Sequence, residues 1–97
     1  MPALRAGIKF EKAAKPHKYV AIFPDGKKVR FGHQDYEHYR DSVPPSRGGG
    51  VWKHKDHGDK QRRNNYRNRA KGVILKSGTR AIDHKYSPAW FSYHFLW

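Results

Sequence analysis

The residues with the most evident chemistry lie between positions 52 and 71, in WKHKDHGDKQRRNNYRNRAK. Eight Lys or Arg (Lys53, Lys55, Lys60, Arg62, Arg63, Arg67, Arg69, Lys71) face only Asp56 and Asp59, which concentrates a net +6 of the chain's formal +13 in twenty residues. Arginine presents a planar fork that grips phosphate oxygens, and Asn or Tyr add neutral hydrogen bonds to a nucleic-acid backbone. The plainer reading is a solvated helix face that keeps a small protein in solution. Because the whole chain is basic, with a pI near 10.3, an anionic partner, DNA or RNA, is the expectation.

Other chemistry is weaker. His54 and His57 are three apart beside Asp56 and Asp59, a spacing that a turn could converge on a divalent ion, but the surrounding lysines oppose a cation. Asp56-His57 resembles the start of a His-Asn-His nuclease motif, yet Asn64, Asn65 and Asn68 come too early and His84 too late. No nucleophile elbow accompanies a Ser-His-Asp set, and Glu11 and Glu37 have no carboxylate partner in sequence. Catalysis, a metal and a cofactor are therefore not expected. Without cysteine there is neither a disulfide framework nor a thiolate site. No apolar run is long enough for a signal peptide or a membrane span.

These side chains need elements to hold them. A helix from about Asp56 to about Lys71, capped by Asp56 and stopped by Gly72, would carry the basic cluster. Its only inward residues would be Tyr66 and Ala70, so it must lean on tertiary contacts. Arg62 and Arg69 lie a heptad apart with Tyr66 between them, and Asp59 and Arg63 form an i, i+4 pair.

Upstream, residues 19–31 read as a hairpin around Pro24-Asp25-Gly26. Tyr19, Ala21, Phe23, Val29 and Phe31 should share a core face, leaving Lys28 and Arg30 on the other. Residues 33–42 suggest a short helix from Asp35 that turns Tyr36 and Tyr39 inward. The Pro/Gly-rich loop at 44–50 lacks the Lys and Ser/Thr of a P-loop and reads as a linker. Residues 73–82 suggest a second short hairpin with Gly78 at its turn. Ser87-Pro88 opens a C-terminal aromatic helix that closes over the core. Residues 1–17 read as a basic N-terminal arm that docks Ile8 and Phe10, and 18–97 as a single α+β domain. With 36% apolar but 14% aromatic residues, its core must be built from rings.

The segments FGHQDYEHYRDSVP, HKDHGDKQRRNNYRNR and YSPAWFSYHFLW, kept in that order from about Lys18 to Trp97, resemble the signature blocks of a family of small, basic, uncharacterised proteins. They are encoded by nucleocytoplasmic large DNA viruses, the giant viruses among them. The resemblance implies a protein made in an infected host cell, in cytoplasm or nucleus, and packaged in the virion, with no established enzymatic activity.

The function expected is non-catalytic nucleic-acid binding, genome-associated in the virion. Arg62, Arg63, Arg67 and Arg69 would carry it, supported by Lys53, Lys55 and Lys60 and by Lys27, Lys28 and Arg30 of the hairpin, with affinity that falls with salt. The alternative is a minor virion structural protein whose basic surface meets acidic capsid proteins or the inner membrane.

Overall fold

A computed structural model describes residues 4–97. Its frame is a three-stranded antiparallel sheet in the order β1 (Lys9–Lys12), β2 (Tyr19–Ile22), β3 (Lys28–Phe31), followed by α1 (Lys60–Lys71) and α2 (Pro88–Phe95). This is the α+β layout expected from the sequence, and the hairpin register is the expected one, with Tyr19 opposite Phe31 and Ala21 opposite Val29. Alternation then buries Tyr19, Ala21, Phe23, Val29 and Phe31.

The expected N-terminal arm is corrected in part. Residues 9–12 form the edge strand β1, with Phe10 opposite Ala21, and Ile8 and Phe10 are buried in the core. A four-residue strand with one apolar side chain carries almost no period-2 signal, so pairing with β2 decides its conformation.

Helix α2 begins as its sequence demands, with Ser87 Oγ accepting from the Trp90 N–H and Pro88 at the first helical position. It covers the sheet's inner face and packs ring on ring. Phe91 stacks on Phe31 at 5.0 Å, Phe31 on Tyr19 at 5.5 Å, and Phe10 meets Phe91 edge-on at 5.8 Å. Trp90, Phe95 and Leu96 complete the buried cluster. The aromatic tail is core.

Two other segments depart from expectation. Residues 33–42 form no helix: His38 turns inward while Tyr36 stands 67% exposed. The expected second hairpin does form, as a short one: Ile74 bridges Arg80, and the Leu75 and Ala81 N–H groups donate to the Thr79 and Val73 carbonyl oxygens at 2.9 Å, with Gly78 in the turn, before a 3-10 turn at Ala81–Asp83. The 44–50 loop is a packed structure: a 3-10 turn, Pro45–Arg47, whose Arg47 Nη1 donates to the main-chain oxygen of Ile8 at 2.8 Å. Gly48, at φ 99°, lies so close to β1 that an added Cβ would overlap the Phe10 carbonyl oxygen. Gly48→Ala should therefore cost about 2–3 kcal/mol, through left-handed strain and overpacking, as read by urea unfolding.

Candidate nucleic-acid interface

Helix α1 starts four residues later than expected. Asp59 is its cap, accepting from the Gln61 and Arg62 N–H groups at 2.9 and 3.2 Å, and Gly72 is its C-cap. Asp56 is engaged elsewhere, and Gly58, at φ 65°, breaks the helical path between the two aspartates. The expected Asp59–Arg63 pair does not form, because the cap holds the carboxylate and Arg63 turns the other way.

No residue of α1 is fully buried, and Tyr66 and Ala70 are half-buried as expected. What attaches the helix is arginine. Arg63 lies 4.7 Å over the Tyr39 ring, and Arg67 lies 4.7 Å over the Tyr93 ring. Arg63 Nε and Arg67 Nε donate to the main-chain oxygen of Trp97 at 2.8 and 3.0 Å, with Arg67 Nη2 adding a bond at 2.9 Å. Cation–π contact and the Trp97 oxygen satisfy these guanidinium groups within the protein. Two arginines expected to grip phosphate are thus structural anchors. Nothing in an i, i+4 Arg pair reveals this in sequence.

The flank of α1 that carries Arg62, Tyr66 and Arg69 opens on a cleft of about 520 Å³, whose other walls are Tyr36, Glu37, His33 and Trp97 and whose base includes Lys18. Tyr66 stacks on Trp97 at 4.3 Å, and Arg62 reaches across to Glu37 at 3.1 Å. The heptad spacing of Arg62 and Arg69 therefore does place them on one wall. Lys60 and Lys71 are exposed at the two ends of the same helix.

The remaining candidates are elsewhere. Lys53 and Lys55 lie on a 3-10 turn before α1, Lys53 exposed and Lys55 half-buried. Lys27 sits at the hairpin turn beside the Phe23 ring. Lys28 and Arg30 alternate with buried Val29 and Phe31, so they project from the sheet face turned away from α2. Since α1 packs on α2, the hairpin cations and the helix cations occupy different surfaces. A single continuous phosphate track through both sets is not formed.

Beneath the cleft lies a buried polar network that sequence reasoning missed. Lys18, 2% exposed, donates from Nζ to the Tyr36 carbonyl oxygen at 2.6 Å and meets His38 Nδ1 at 2.7 Å. His38 Nε2 lies 2.6 Å from Asp56 Oδ1, which also accepts the Asp41 N–H. An ammonium can only donate, so Nδ1 is the acceptor and the imidazole proton sits on Nε2, facing Asp56. Asp41, also buried, accepts from Tyr19 Oη at 2.5 Å, the Trp52 N–H at 2.9 Å and the Val43 N–H at 3.1 Å. The members come from three separate stretches of chain, 18–19, 36–43 and 52–56, which leaves no spacing to recognise. His57 Nδ1 accepts from the Asp59 N–H and His54 lies against the Trp52 ring, so the residues considered for a metal point in different directions.

Burial moves the titrations of this network. Desolvation, reinforced by Lys55, pushes the Lys18 ammonium down to about 8, and desolvation with the neighbouring Lys18 lowers His38. Burial and the bond to Asp41 push Tyr19 up. Between pH 8 and 10 the unfolded chain binds more protons at Lys18 than the folded one, so stability rises with pH, by roughly 2–3 kcal/mol. Below the usual histidine range the unfolded chain again binds the extra proton, at His38, and stability falls with acid. Above about pH 10 the unfolded chain alone loses its Tyr19 proton, and stability falls again. Urea unfolding from pH 5 to 11 should give a maximum near pH 9–10. Lys18→Met should flatten the rise above pH 8.

A family model described as a family of unknown function, DUF5754, matches residues 11–48. That stretch holds β2, β3, Lys18, His38 and Asp41 and ends before α1. No curated protein matches the chain, and no solved structure matches it. No helix among the described residues is long and apolar enough to cross a membrane.

Proposed function

We propose that this protein binds nucleic acid without catalysis, contacting phosphates through the exposed cations of α1: Lys60, Arg62, Arg69 and Lys71. One observation carries this reading. The chain holds 21 Lys and Arg, yet among the described residues only Arg62 and Arg80 are in ion pairs with Asp or Glu side chains, both half-exposed. A helix face built for solubility alone gains from pairing its charges along the surface. This one leaves Lys60, Arg69 and Lys71 without acids among the described residues, and the chain as a whole carries a surplus that suits a polyanionic partner. Counterion release then supplies much of the affinity. The viral setting implied by the sequence resemblance makes genome association in the virion the corresponding role, in an infected host cell.

The test is a fluorescence anisotropy titration of labelled duplex DNA, single-stranded DNA and RNA at about 100 mM salt. Binding to at least one of them is expected; absence of binding to all three contradicts the reading.

A second reading, a minor virion protein that bridges acidic capsid subunits, draws on a different feature. Val73 and Ile74 are 53% and 57% exposed just past α1, and an apolar patch beside a basic helix suits a protein partner. Association with acidic proteins that is lost in Val73→Ser/Ile74→Ser would favour it.

A further inference from the structure

The cleft between α1 and the 33–37 turn combines two features that a duplex phosphate track does not need. The first is an exposed aromatic ring. Tyr36 is the most exposed of the large hydrophobic side chains described and lies on the cleft wall, 4.7 Å from the His33 ring. The Tyr66–Trp97 stack stands among the other lining residues. The second is cations at two depths, with Arg62 and Arg69 on the helix wall and Lys18 at the base. Among the described residues the only acid lining the cleft is Glu37, already paired with Arg62.

Its size also matters. About 520 Å³ is far more than a phosphate group fills, and a flat ring next to a guanidinium is the surface on which an unpaired base stacks. A base still paired in a duplex presents only its edge and could not reach Tyr36. The ammonium of buried Lys18 is held by a carbonyl and by His38 rather than by a carboxylate. Asp41 and Asp56 act on that ammonium and offset its charge, so the positive field that an entering anion meets comes from Arg62 and Arg69 at the rim.

We infer that the cleft receives one unpaired nucleotide of a single strand, with the base against Tyr36 and the adjoining phosphate on Arg62 and Arg69. This rests on the nucleic-acid reading above and narrows it to single strands. Phosphate and Glu37 then compete for Arg62, so Glu37 acts as a removable counterion. Its replacement should tighten binding, an effect that damage to the fold would not produce.

The experiment uses the full chain, a single-stranded oligonucleotide carrying 2-aminopurine, and the same sequence as a duplex, at about 100 mM salt. The single strand should bind more tightly than the duplex, with quenching of 2-aminopurine as it stacks. Tyr36→Ala should weaken single-strand binding by roughly 5- to 100-fold, the range for removing one base–aromatic stack, and leave duplex binding unchanged. The Lys18 bond to the Tyr36 main chain survives that change, so the variant should unfold at the wild-type urea midpoint. Glu37→Gln should raise single-strand affinity a few-fold. Equal binding of both forms, with no response to Tyr36→Ala or Glu37→Gln, overturns the cleft assignment but leaves phosphate contact by α1 standing. Failure of both forms to bind overturns both.

Discussion

Replacing Asp41 with Ala is expected to lower the unfolding free energy by about 4–5 kcal/mol, a large part of what a domain of this size possesses. The reason is the asymmetry of buried hydrogen bonds. Asp41 is 2% exposed and its two oxygens accept from Tyr19 Oη and the N–H groups of Trp52 and Val43. Deleting the carboxylate strands those donors in a site from which water is excluded, at about 1–3 kcal/mol each. Those bonds also tie the hairpin to the loop that delivers Trp52, whose Nε1 donates to the Lys18 carbonyl at 2.8 Å. Losing them loosens the seam between β2 and everything after residue 40. Adding Tyr19→Phe to Asp41→Ala removes one stranded donor, so the double variant should be less destabilised than the sum of the singles, with a coupling of about 1–2 kcal/mol. Urea unfolding of the four proteins measures this; strictly additive effects would show that the tyrosine–aspartate contact is not made.

The four arginines of α1 are expected to separate into two functional pairs. Arg63→Gln/Arg67→Gln should lower stability by roughly 2–4 kcal/mol, because it removes two cation–π interactions and three charge-assisted hydrogen bonds to Trp97. Arg62→Gln/Arg69→Gln should leave stability within about 0.5 kcal/mol, since Arg62 gives up only a half-exposed pair with Glu37. The same change should weaken nucleic-acid binding about 10- to 100-fold and make the salt dependence shallower by roughly 0.7–0.9 for each phosphate that is no longer neutralised. A variant lacking all four would confuse the two effects, and failure of that variant to bind would say little about which side chains touch phosphate. If Arg63→Gln/Arg67→Gln unfolds like wild type, the anchoring role is wrong.

That division also shows what could be read from the chain and what could not. Turn chemistry at Pro24-Asp25-Gly26 and the alternation of Lys28, Val29, Arg30 and Phe31 set the hairpin and its register, and Ser87-Pro88 set the start of α2, because each signal is local. The 33–42 segment misleads for the opposite reason. Its tyrosines have helical spacing, but His38 forms a bridge with Asp56 and draws the backbone into an extended path. In β1 a single Phe10 offers no period to detect. The cleft is half legible: the heptad of Arg62 and Arg69 places one wall, whereas Tyr36, Glu37 and Lys18 come from distant positions that only tertiary folding unites. The Lys18–His38–Asp56 chain leaves no sequence signal at all, since each residue reads singly as an exposed polar group.

The most direct measurement is the slope of log K against log salt for binding to single-stranded DNA, wild type beside Lys60→Gln/Arg62→Gln/Arg69→Gln/Lys71→Gln. The wild-type slope should be steep and negative. The variant, still folded, should have a slope shallower by roughly 0.7 for each phosphate it leaves unneutralised, with affinity down by two orders of magnitude or more. A wild-type slope near zero, or a variant that matches wild type in both slope and affinity, would contradict nucleic-acid binding through α1.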